Sequence, residues 1–469
     1  MDVDRIVVNG GVFQEGEFLP LDVGICRGRI VAIGTRGAFA NEPDAAVIDA
    51  SGKLVFPAAI DSHYHSRAPS QPEREDFTSA TAAAAAGGVT TIIEMPISVP
   101  PATNGTVVRA RADLALRDGH VYVGFYASSA TLSRDDLVGS MEAGALAFKA
   151  FLQHVPPGRE EEFSGLCLAS NGELAQAFRL LAEFDLPCVF HAEDESIYSR
   201  LEAELRSDGR RDGPAHAESR PDYVEAISVR TLLRLAERFN VHLHVPHVSS
   251  GMTVALIREA RARGVRVTAE TCPHYLQFDA SALARLGPYA KCNPPFKASH
   301  DIDAVWQGVL DGTNDTVASD HSPFTVEEKE RARDDIWLGP PGFPVVEVLV
   351  PFAVGAALEG RITWRRLNEL IFANPARIFG LWPRKGVIRP GTDADLMIYD
   401  PSARGVFDHR TLHSKTAETA VIWDGIARAG AVCLTLLRGE VVYREGEVVG
   451  AAGRGQRLRR RDATAWMPA

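Results

Sequence analysis

Six cysteines in 469 residues, with no C-x-x-C pair among them, are too few and too scattered to staple a chain of this size. Cys26, Cys167, Cys188, Cys272, Cys292 and Cys433 are read as free thiols in a reducing cytoplasm. Long apolar runs are missing as well: the strongest stretch, 345–358, is short and carries Glu347, Pro351 and Gly355, so no membrane span is expected. The opening MDVDRIVVNGG has acid where a secretory signal needs a basic region and a long apolar core. Positive charge is also in deficit. A net charge of −11 argues against a nucleic-acid backbone or an anionic membrane as partner. Lysine itself is scarce, with only seven in the chain, and arginine supplies most of the basic charge. These absences leave an enzyme acting on a small molecule as the class that fits.

The chain has enough apolar residues, 45%, for a large core, and the pattern changes along it. Residues 1–53 hold short alternating runs at 5–8, 16–19 and 29–33 between Gly, Pro and Asp, the signature of small antiparallel strands. From residue 54 the pattern becomes apolar runs followed by stretches of helical period such as 173–184 and 226–239. The runs are 54–60, 89–95, 120–127, 145–152, 187–191, 241–247, 265–270 and 315–320. Near-continuous apolarity is what strands buried on both faces require, and eight of them predict a closed (β/α)8 TIM-like barrel over 54–384. Beyond the NPAR stretch at 374–377, short strands return at 395–399, 431–438 and 440–443. Residues 1–53 and 385–450 are therefore expected to build one small β-sandwich domain, leaving 451–469 as a basic, solvated or partner-facing extension.

In such a barrel the carboxyl ends of the strands make the active site. The first run leads into Asp61-Ser62-His63-Tyr64-His65, and an H-x-H pair places two imidazoles on one side of an extended segment, as a divalent ion needs. The fifth run ends at His191, the sixth at His247 and the eighth at Asp320. The fourth holds Lys149 inside the apolar GALAFKAFL, where burial drives an ammonium toward the neutral amine. A neutral amine between two cations can take up CO₂ and become a carbamate whose oxygens bridge them. Without the histidines, a lysine snorkelling to the barrel mouth or pairing with a carboxylate is the simpler account.

His63-x-His65, Lys149, His191 in FHAED, His247 in HVSS and Asp320 in SDHSP resemble, in order and setting, the cyclic amidohydrolases: allantoinase, dihydropyrimidinase/hydantoinase and dihydroorotase. The resemblance runs the length of the chain through AAGGVTTIIEMP (85–96), ETCPHYL (270–276), NPARIFGL (374–381) and KGVIRPGTDADL (385–396). It implies a binuclear centre, usually zinc, bridged by a carboxylated lysine and a hydroxide. Carried over by position, His63, His65 and Asp320 hold one ion, His191 and His247 the other, and carboxylated Lys149 both. Asp320 would accept the proton of the attacking hydroxide and pass it to the departing ring nitrogen. A cyclic amide is the implied small-molecule substrate, and relatives are commonly homodimers or homotetramers.

The substrate is read from departures within that family. Arg67 stands where dihydroorotases place a guanidinium for the substrate carboxylate, yet their MPNT motif is here Met95-Pro96-Ile97-Ser98. Dihydropyrimidinases carry a tyrosine five residues after the lysine, where this chain has His154. EMPISVPPATN (94–104), KCNPPFK (291–297) and SDHSPF (319–324) look most like allantoinase. Arg67, Ser98, His154, Asn293 and Phe343 are the expected substrate contacts, with Glu347 in the loop that resembles the family's cover over the substrate. His274 is expected to give structural support, His242 and His244 to face helices or core, and His321 to support the site. A dihydroorotase- or hydantoinase-type hydrolase is the nearest alternative, and a non-catalytic dihydropyrimidinase-like scaffold protein the alternative of another class.

Overall fold

A computed structural model describes residues 2–460. Eight parallel strands form one sheet in chain order: β1 (Ala59–Tyr64), β2 (Val89–Glu94), β3 (Tyr122–Ser128), β4 (Ala147–Phe151), β5 (Cys188–His191), β6 (Leu243–Val245), β7 (Val267–Thr271) and β8 (Thr316–Val317). The ring closes through a single parallel bridge between Tyr64 and His321, where the His65 amide donates to the His321 carbonyl at 2.9 Å. Every residue of these strands is buried, which explains why their apolarity hardly alternates.

The run at 54–60 is not one strand. Leu54–Pro57 pairs with Leu396–Val406 in the other sheet, the Ala58 amide donates to Asp395, and the Ala59 amide donates to Gly88 to start the barrel. An apolar run can cross from one sheet to another without a polar break, because both ends are buried. The run at 315–320 is also shorter than expected as a strand, since Asp320 sits at φ 49°.

The helices lie between the strands and are capped as their sequences suggest. Phe77–Ala86 starts with Asp76 accepting from the Ser79 amide, and Asp222–Phe239 ends at Asn240 in the left-handed conformation. Val346–Leu358 is a buried helix beside the barrel, and among the described residues no helix is long and apolar enough to cross a membrane.

Both chain ends contribute to a second, mostly antiparallel ten-stranded sheet. Val7, Val12 and Ile25 from one end share a core with Leu396, Ile398 and Leu436 from the other. The stretch expected to be solvated is docked as far as it is described. Leu458 is buried in the barrel core, the Gly453 amide donates to Gly119, and Arg457 pairs with Asp113. A buried leucine and polar contacts such as these hold a segment that has no apolar period. Residues 461–469, the rest of that extension, lie outside the described residues.

Candidate metal centre

The C-terminal ends of the strands bring the six expected ligands together. His63 and His65, two apart at the end of β1, aim both Nε2 atoms at one oxygen of Asp320, at 3.3 and 3.5 Å. These ligand atoms all lie within 4.8 Å of one another. Across the cavity floor, His191 at the end of β5 places Nδ1 3.1 Å from His247 Nε2. The His63 and His247 rings are 5.3 Å apart, which joins the two groups.

The histidines are oriented from behind. His63 Nδ1 is 2.9 Å from Glu270 at the end of β7, and His191 Nε2 is 3.0 Å from Glu193, which also accepts from Arg220 at 2.9 Å. Each carboxylate takes a ring N–H and so turns the lone pair of the other nitrogen toward the centre. Neither glutamate was singled out from sequence. Glu270 was within reach, because it ends the seventh run as the ligands end theirs.

Lys149 projects from β4 into this group. It is only 1% exposed, and its Nζ has no hydrogen-bond partner. Burial pushes its ammonium down to about 8, against the pull of Asp320 and Glu270. Burial likewise brings His65 down to about 3 and His247 well below the ordinary imidazole value. For Asp320, burial alone would raise the carboxyl, but His63 and His65 beside it bring it to about 2. Neutral imidazoles, a carboxylate and an amine without a partner are a donor set suited to divalent cations. The residues present therefore fit a metal centre.

Three residues here have left-handed backbone: Arg67 at φ 62°, His247 at φ 38° and Asp320 at φ 49°. Such conformations cost non-glycine residues of order 1 kcal/mol or more and cluster at working sites.

Over the centre lies a cavity of about 840 Å³. Arg67 lines it, 3% exposed, with Nη2 donating to Ser322 at 2.6 Å while Nε and Nη1 have no partner. Asn293 lines it with an unpartnered Oδ1, and buried Phe343 closes one side. His154 stands at the rim, 76% exposed in its side chain, 2.7 Å from Glu195. Ser98 does not line the cavity: its hydroxyl donates to the Ala68 carbonyl at 2.8 Å, and the neighbouring Ile97 faces in instead. Glu347 is turned away too, accepting from His413 at 2.9 Å.

His242 and His244 are buried against Thr268, in the core as expected. His321 stacks on Tyr64 with ring centroids 4.4 Å apart and reaches Glu75 at 3.1 Å, supporting the H-x-H segment. His274 lines the cavity instead of merely supporting it.

The amidohydrolase family pattern matches residues 54–442, which contain all six candidate ligands. The chain belongs to the amidohydrolase family. This amidohydrolase is 36% identical to an allantoinase of Rubrobacter xylanophilus, over 98% of its own length and 99% of the relative's. It is 32% identical to an L-hydantoinase of Paenarthrobacter aurescens, over 98% of each chain. The solved structure of an L-hydantoinase (dihydropyrimidinase) from Arthrobacter aurescens superposes with a TM-score of 0.91 at 31% identity, covering 97% of this chain and 99% of that one. A D-hydantoinase crystal structure gives 0.88 at 29% identity, with 97% and 99% covered. The protein is thus a cyclic amidohydrolase of the allantoinase/hydantoinase type, a hydrolase of C–N bonds in cyclic amides.

Proposed function

We propose that this amidohydrolase opens a cyclic ureide, allantoin first among them, by hydrolysing one ring C–N bond at a pair of divalent metal ions, zinc in the first instance. The observation that carries this is the buried, unpartnered Lys149 Nζ in the cavity that His63, His65, Asp320, His191 and His247 also line. His63, His65 and Asp320 would hold one ion, His191 and His247 the other, and Lys149, carboxylated, both. When bound, the pair supplies a water deprotonated near neutral pH and a Lewis acid for the ring carbonyl.

The chain's own residues do the rest. Asp320, held as a carboxylate, takes the proton released by the attacking water and delivers it to the departing ring nitrogen. The new C–O bond forms first, making the carbonyl carbon tetrahedral, and the C–N bond then breaks as its nitrogen receives the proton, leaving an open-chain acid. Arg67 offers its two unpaired donors to a ureido carbonyl or a carboxylate on the substrate, a task suited to a planar fork. Asn293 accepts from a ring N–H, and Phe343 keeps water from the ring. Ser98 holds the Ala68 turn behind Arg67, and His154 at the rim reaches a substituent outside the ring. Because those Arg67 donors would equally suit a ring carboxylate, dihydroorotate is the second reading.

The test is kcat/KM of the metal-loaded enzyme on allantoin, hydantoin, dihydrouracil and dihydroorotate. Allantoin leading the series supports the proposal; dihydroorotate leading installs the second reading, and failure on all four with two ions bound overturns both. A cytoplasmic homodimer or homotetramer is the expected setting, and sedimentation tests the assembly.

A further inference from the structure

The histidine at the second position of the short helix Pro273–Gln277, just past β7, has no structural task that its surroundings reveal. The ring of His274 is 1% exposed and sits among aromatic rings, with centroids 4.3 Å from Tyr275, 5.3 Å from Phe343 and 6.0 Å from Phe296. Neither Nδ1 nor Nε2 has a hydrogen-bond partner. This sets it apart from His63, His191 and His321, each of which has a glutamate on one ring nitrogen. Phenylalanine would fill the same aromatic pocket without leaving two buried polar atoms unpaired, an arrangement that proteins otherwise avoid. What the imidazole has and a phenyl ring lacks is hydrogen bonding, and the side chain lines the catalytic cavity.

Burial is the main influence on the ring and pushes its pKa down to about 4, with Asp320 pulling the other way and His63 reinforcing it. His274 is therefore neutral near pH 7, offering one N–H and one lone pair. Neutrality suits a place beside a metal centre, where an imidazolium would be repelled. Acceptors already face the cavity in the Asp320 carboxylate and the unpartnered Asn293 Oδ1, so a donor complements them.

We infer that His274 is a substrate-binding residue whose ring N–H donates to the carbonyl of the cyclic ureide that is not attacked. The inference rests on the ring opening proposed above. The attacked carbonyl belongs to the metal centre, and the second carbonyl of the ring needs its donor from the protein. A bond present equally before and during the reaction is read in KM and not in kcat.

The experiment compares His274→Phe and His274→Gln with the wild type on whichever of the four rings the wild type opens best, together with metal content and melting temperature. The phenylalanine variant should keep two ions and an undiminished melting temperature, while its KM rises about 10- to 100-fold with kcat nearly unchanged. Glutamine, which restores an N–H donor of similar reach, should recover most of that loss. A phenylalanine variant with wild-type KM overturns the inference, as does a loss of activity that tracks loss of metal, or a glutamine variant no better than phenylalanine. The proposed reaction fails separately: a wild type with two ions that opens none of the four rings overturns ring opening itself, and this role with it.

Discussion

Replacing Lys149 by methionine should stabilise the metal-free protein while abolishing its function. The lysine is 1% exposed, its Nζ has no hydrogen-bond partner, and burial holds its pKa at about 8 against an ordinary 10.5. That difference corresponds to roughly 3 kcal/mol against the folded state when the amine is charged in both states. The sign follows from which state holds the proton. Between about pH 8 and 10.5 the unfolded chain keeps its lysine proton while the folded chain has lost it, so stability rises with pH across that window. The cost is complete below about pH 8 and gone above 10.5. Methionine fills a similar volume without charge. The Phe151 ring, 5.2 Å from Nζ, offers a cation–π contact that offsets less than about 1 kcal/mol. With an unfolding entropy of roughly 2.1 cal/mol/K per residue over 469 residues, the stripped variant should melt about 3 °C above stripped wild type at pH 7. The gap should close by pH 10.5. Calorimetry on chelator-stripped protein at both pH values reads this, and metal analysis of the reloaded variant should find the pair and the turnover gone. A stripped variant that melts at or below wild type at pH 7 would refute the energetic reasoning; two ions and full turnover would refute the bridging role.

Arg67→Gln removes a buried fork with two unpaired donors, and should lower kcat/KM about 10- to 100-fold on allantoin or dihydroorotate but far less on unsubstituted hydantoin. An equal loss on all three would count against recognition of a substituent. Glu193→Gln weakens the carboxylate that orients His191, so metal affinity in a chelator competition should fall about 10- to 100-fold, with turnover recovered by added metal. Unchanged affinity would show that Glu193 does not anchor the histidine. Leu458→Ala should cost about 2 kcal/mol and lower the melting temperature by about 2 °C with kcat/KM unchanged; no shift would mean that the 451–460 segment does not dock in solution.

The barrel was legible because strands covered on both faces must be apolar throughout, and eight such runs at helical spacing leave few other architectures. The candidate ligands could be singled out for a related reason, since a barrel exposes chemistry only where its strands end. Boundaries were not. The chain passes from one sheet to the other within two residues of Pro57, and no polar residue marks the crossing. His247 and Asp320 reach the centre through left-handed backbone, which no alternation pattern encodes. Ser98 and Ile97 exchange places because one residue of register in a loop decides which side chain faces in. His274 is the instructive miss, because an aromatic neighbourhood such as Tyr275, Phe296 and Phe343 reads as core in sequence, and only the unpaired nitrogens distinguish it.

Those unpaired atoms have a common cause. Lys149 Nζ, His65 Nδ1, Arg67 Nε and Nη1, Asn293 Oδ1 and both nitrogens of His274 are buried without partners around one cavity. Each such atom costs about 1–3 kcal/mol when left dry, more than a protein of ordinary stability can carry in sum. Close by, polar groups of similar burial are fully engaged: Glu94 takes both Arg111 and the Ser66 amide, and His321 bridges Glu75 to the amides of Val345 and Val346. Unpaired buried atoms occur elsewhere in the fold as well, Thr91 Oγ1, Ser140 Oγ and Trp423 Nε1 among them, so it is the gathering of these seven around one cavity that points to ligands. Their gathering at the carboxyl ends of the strands fits the proposed metal pair, Lys149 carbamate, water and substrate as the missing partners.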